Sequence, residues 1–153
     1  MQSSKSILSI NQSIPDSTWT TIQFNVAIGD GIGPSIYSTS TNNYVVQMTS
    51  SYRLYCQVTW DVSSTGIRGI RVVKDGITSS PIYTNEKQSE TVSFSQSIDI
   101  YENLLSNESL SIQVYQNSGG SLNLLSKLDP SGGSELGFCT FSYIQRFSPQ
   151  IVW

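Results

Sequence analysis

Apolar and polar residues alternate with a period of two along much of this chain, most clearly between Ser51 and Gly76. In Tyr52 to Trp60, Leu54, Cys56, Val58 and Trp60 alternate with Arg53, Tyr55, Gln57 and Thr59, the pattern of a strand with one face in a core. Asp61 to Gly66 is turn-prone, and Ile70 and Val72 resume the alternation as far as Lys74-Asp75-Gly76, where Asp-Gly marks another turn. β-Branched and aromatic residues dominate, which argues against helix. The stretch predicts a hairpin of two long strands, and the rest of the fold is organised around it.

Other segments repeat the pattern. Trp19 to Ala27 predicts a first strand, with Ile22, Phe24 and Val26 on one face. Ile36-Tyr37 and Tyr44 to Met48 are short strand candidates, and Thr78 to Tyr83 is an edge-like strand interrupted by Pro81. Asn85 to Glu90 reads as a polar loop. Val92, Phe94 and Ile98 alternate along a further strand whose apolar row is broken by Gln96, which would either reach water at a strand end or make a polar contact at a subunit boundary. A short helical turn could form within Ile100 to Glu108. Leu110, Ile112 and Val114 predict a core-facing strand, followed by a Gly-Gly hairpin and the return of Leu122 and Leu124. Phe138 to Ile144 carries apolar or aromatic residues on both faces, Phe138 and Ile144 on one and Cys139, Phe141 and Tyr143 on the other. Such a strand must be covered on both sides, so a partner subunit over the outer face is expected.

The order of these segments resembles the jelly-roll heads of the tumour necrosis factor and complement globular-head superfamily, in the style of its phage virion members. The resemblance is carried by Tyr52, Leu54 and Trp60, then Gly66-Ile67-Arg68, Ile70-Arg71-Val72 and the Lys-Asp-Gly turn, then Leu110 to Leu124 and the strand ending at Ile144. It covers the chain from Trp19 to about Ile144. Leu105-Ser106-Asn107-Glu108 departs from the family pattern by placing Asn for Gly and Glu for Asp, but Asn tolerates a left-handed backbone and the turn can survive. The resemblance implies an all-β, two-sheet antiparallel jelly roll of about ten strands, assembled as a homotrimer. Residues 1–17 would form an N-terminal arm, 18–145 the head and 146–153 a C-terminal tail. Tyr55, Phe141 and Tyr143 are the candidates for the trimer interface or a binding surface, with simple core filling as the alternative for each. Cys56 and Cys139 would lie on neighbouring strands of the inner sheet, within reach of a disulfide, although a free buried cysteine is the commoner state.

Composition narrows the function. At 153 residues a single domain with a real core is expected. Charged residues are only 12% of the chain, so Ser, Thr, Asn and Gln must supply its polar surface, as in extracellular and virion fibres. A net charge of -3 and scattered basic residues argue against nucleic-acid binding. With no histidine, His-dependent triads and imidazole metal sites are excluded. No carboxylate pair, metal-ligand set or cofactor motif can be nominated, so the chain reads as non-enzymatic, with no metal and no cofactor. Gly29 to Pro34 resembles the N-terminal loop of isocitrate and isopropylmalate dehydrogenases, but no predicted helix follows to hold a phosphate. No apolar run is long enough to insert in a membrane, and the N-terminal segment lacks a continuous apolar leader.

These readings lead to a phage virion knob, on capsid or tail, that binds other virion proteins through the N-terminal arm and could also bind a host-surface glycan or protein. Ile7, Leu8, Ile10 and Trp153 are the anchoring candidates, with packing along the chain's own domain as the alternative for the arm. The other role is a secreted or cell-surface signalling or lectin-like head.

Overall fold

The computed structural model describes residues 3–29, 36–126 and 140–147. Their regular elements are all strands: β1 (Ser3–Ile7), β2 (Gln12–Ile14), β3 (Thr20–Thr21), β4 (Val26–Gly29), β5 (Tyr37–Ser38), β6 (Asn43–Val45), β7 (Ser50–Trp60), β8 (Ile67–Lys74), β9 (Tyr83–Gln88), β10 (Phe94–Leu104), β11 (Ser109–Gln116), β12 (Leu122–Leu124) and β13 (Phe141–Phe147). They form two antiparallel sheets packed face to face as a jelly roll. The seven-stranded sheet is built on β7, which pairs with β10 along one edge and with β13 and, at Trp60, β12 along the other. β1 and β4 continue it beyond β13, and β2 lies beside β12. The six-stranded sheet runs β5, β6, β11, β8, β9, with β3 also on β11. Leu54, Cys56, Val58 and Trp60 from the first sheet and Ile70, Val72, Ile112 and Val114 from the second fill one continuous core.

The two long strands form as the alternation predicts, but they are not a hairpin. β7 belongs to the seven-stranded sheet and β8 to the six-stranded one, so Asp61 to Gly66 carries the chain across the sandwich. A period of two reports which face is buried and not which strand is the neighbour. Here the two apolar rows face each other. Arg68 holds the crossing: buried beside the Trp60 ring at 5.8 Å, its guanidinium donates to the carbonyls of Ser63, Thr65 and Ile67. The Gly-Gly segment is likewise a crossing, since β11 and β12 lie in different sheets. The predicted first strand divides for the same reason: β3 pairs with β11, β4 pairs with β1, and Ile22 and Phe24 between them are buried. This division, with β1 and β2, raises the count from about ten to thirteen strands among the described residues.

Residues 3–17 pack along their own domain, the alternative given above for the arm. β1 lies between β13 and β4 inside the seven-stranded sheet, and β2 pairs with β12. Ile7 and Leu8, expected to anchor the chain elsewhere, are buried in its own domain, while Ile10 is 68% exposed. β1 escapes a hydrophobic reading because its inward residues are serines. The Ser6 hydroxyl shares hydrogen bonds with Tyr44 at 2.7 Å and Ser142 at 2.6 Å, and Tyr44 with Ser142 at 2.6 Å, closing a buried hydroxyl triangle between the sheets. Burial pushes the Tyr44 phenol above its ordinary range, so it remains a neutral member of that triangle.

Four smaller expectations also change. Asn85 to Gln88 is strand rather than loop, because β9 is the edge of its sheet and needs no second apolar face. Thr78 to Ile82 is correspondingly outside any strand. Ile100 to Leu104 continues β10, with no helical turn, and the following left-handed residue is Asn107 at φ 71°. The tail expected from residue 146 begins inside β13, which runs to Phe147. The dehydrogenase-like loop beyond Gly29, Phe138, Cys139 and Trp153 lie outside the described residues; Cys56 is free and buried.

Candidate functional site

The outer face of the seven-stranded sheet carries the aromatic candidates. Residues directly opposite in antiparallel strands share a face, so the register reads across the sheet. One row runs Asp99, Tyr55, Tyr143, Lys5 and Ile28, on β10, β7, β13, β1 and β4. The rows beside it run Ser97, Gln57, Phe141 and Ile7, and Tyr101, Arg53 and Gln145. Tyr55, Phe141 and Tyr143 are therefore brought together as neighbours, whereas their inward counterparts Leu54, Cys56, Ser142 and Ile144 are buried. None of the three is core filling: each is half-buried with its ring on the outer surface.

Tyr55 stacks on Tyr143 with ring centroids 5.4 Å apart and an interplanar angle of 21°, and meets Phe141 at 5.9 Å. The Lys5 ammonium lies 5.2 Å from the Phe141 ring centre, and the Arg53 guanidinium 5.7 Å from that of Tyr143. Arg53 is held in place by a fork onto Asp99, Nε to Oδ1 at 2.8 Å and the terminal nitrogen to Oδ2 at 2.6 Å. That fork lowers the Asp99 carboxyl below its usual range and raises Arg53 further. Beyond it Tyr101, 65% exposed, meets Phe147, 39% exposed, at 5.6 Å. Ile28 extends the apolar surface to the opposite edge at 48% exposure.

The alternation of β7 and the two apolar faces of β13 were enough to put the three aromatics on the outer face. Lys5, Ile28 and Tyr101 gave no such signal, because β1 is mostly polar and the roles of β4 and β10 depend on which strands they join. Chemically the face can pack, stack and pair ions. Among the described residues there is no cluster of three or more His, Cys, Asp or Glu able to hold a metal. Nor does any helix long and apolar enough to cross a membrane occur among them.

Two sheets with this strand order form a jelly roll, a fold shared with solved tumour necrosis factor and complement heads. The Eiger TNF of S. frugiperda superposes with a TM-score of 0.64 at 12% identity, over 96% of this chain and 91% of that one. The globular domain of zebrafish complement 1qA gives 0.62 at 10% identity, over 97% and 98%. Murine APRIL at pH 8.0 gives 0.59 at 17% identity, over 95% and 98%. These likenesses establish the fold. No family model matches the chain, and no curated protein matches it in sequence.

Proposed function

We propose that this chain is a non-enzymatic binding head that assembles as a homotrimer, with the aromatic face of the seven-stranded sheet turned toward the axis. The observation that carries the reading is the continuous outer surface of Tyr55, Phe141, Tyr143, Tyr101 and Ile28. Contiguous exposed apolar surface of this kind marks an interaction site, and aromatic residues with arginine are the usual composition of an interface core. The likeness to a TNF, a complement globular domain and APRIL supports a secreted or cell-surface recognition role over a phage virion knob. The hydroxyl-rich composition is what remains in favour of the virion.

The test is the mass of the full chain in solution by light scattering, beside Tyr55→Glu, which sets a second carboxylate opposite Asp99. A trimer for the natural chain and a folded monomer for the variant are expected, because a carboxylate buried beside a like charge is costly. A natural chain that is monomeric at high micromolar concentration would overturn the assembly. Deleting residues 1–17 is not an equivalent test, since it removes β1 and β2 from the sheet.

A further inference from the structure

The outer face of the other sheet carries a separate constellation around Arg71. Trp19, just ahead of β3, lies with its ring centre 4.3 Å from the Arg71 guanidinium and meets Tyr115 of β11 at 5.4 Å. It can lie there because position 69 is glycine: a Cβ would come within 2.8 Å of the indole. Arg71 Nε donates to Gln113 Oε1 at 2.9 Å, and Gln113 Nε2 donates to Thr21 Oγ1 at 3.2 Å. The amide thus fixes the guanidinium and is itself tied to Thr21 at its other end. Among the described residues the positive charge has no carboxylate. The ion pairs among the described residues are Arg53 with Asp99, Lys74 with Glu108 and Lys87 with Glu90. Glu86 shares this face, at the register of Gly69, without pairing with Arg71.

A guanidinium held by an aromatic shelf, partly out of water and lacking a counter-ion, is an unfavourable arrangement in the isolated chain. It becomes favourable when a carboxylate completes the fork. We propose that Arg71, Trp19 and Tyr115 form a docking site for an Asp or Glu side chain on an acidic loop of a protein partner. Trp, Tyr and Arg are the residue types that dominate interface hot spots. The overall charge of -3 disfavours acidic partners over the surface at large, so an arginine fixed on an aromatic shelf favours docking at this place. A carboxylated sugar is the poorer fit, because the guanidinium covers the Trp19 ring on which a sugar face would stack. The site lies on the sheet turned away from the proposed trimer axis and is open in monomer and trimer alike.

The experiment is a titration of the isotope-labelled full chain, following the Trp19 indole N–H and Arg71 Nε–H signals by NMR. The probe is the blocked peptide acetyl-Gly-Glu-Leu-amide, with its Gln counterpart as control and sialyllactose beside lactose as a second arm. The Glu peptide should shift both signals saturably at millimolar concentration, and the Gln peptide should not. Arg71→Lys, which keeps the charge and loses the fork, should weaken the response by about fivefold or more while leaving the Trp60 signal in place. Equal shifts from both peptides, or none from either, would overturn the site. A response to sialyllactose alone would overturn the protein partner as its occupant.

Discussion

Gln96 shows how a single polar side chain can belong in an apolar core. Its position breaks the apolar row of β10, and the expectation that it would reach water or a subunit boundary does not hold: it is buried. Its Oε1 accepts from Trp60 Nε1 at 3.3 Å and its Nε2 donates to Asn85 Oδ1 at 2.9 Å, tying β10 to both β7 and β9. Gln96→Ala strands the indole N–H in the core and should cost about 2–3 kcal/mol, read as a lower urea midpoint. Tyr44→Phe should be milder. Ser6 and Ser142 keep their mutual hydrogen bond when the phenol oxygen is removed, so about 1 kcal/mol is expected from the same measurement. Neither role was legible in the sequence, because hydropathy marks a polar residue as outward whether or not a partner awaits it inside. The outward placement of Tyr55, Phe141 and Tyr143 was legible, Tyr55 from the alternation of β7 and the other two from a strand with apolar residues on both faces.

At the scale of the element, strands were readable and their partners were not. The apolar rows of β7, β8, β10 and β11 set their faces, but the connection after β7 looked like a hairpin until its arginine was placed. Two turn glycines separate backbone preference from packing. Gly66 sits at φ 80° with Asn117 where a Cβ would go, whereas Gly76 sits at φ 72° with nothing within 4 Å. Gly76→Ala should therefore cost only the left-handed penalty, about 1 kcal/mol. Gly66→Ala must also displace Asn117, whose Oδ1 accepts the Ile67 amide at 2.6 Å, and should cost about 2–3 kcal/mol in thermal or urea unfolding.

For the whole molecule, the absence of histidine shapes the response to pH. Asp99 is held low by Arg53, and Glu108 by the Leu105 amide and Lys74. A lowered carboxyl contributes stability above its unfolded pKa and loses it as pH falls through the lowered folded value. Unfolding midpoints should accordingly stay flat from roughly pH 5 to pH 7 and decline only below the ordinary carboxylate range; a sigmoidal change near pH 6.5 would contradict this. The path of the chain also has a consequence during synthesis. β13 sits between β7 and β1, so a strand near the start of the chain reaches the centre of its sheet only through one made more than a hundred residues later. Until β13 has left the ribosome, the long edge of β7 that it will cover remains unpaired, and the nascent head is most vulnerable to aggregation. Closure of the sheet therefore waits on β13, and a chain stopped before Phe141 should yield aggregate rather than a smaller head.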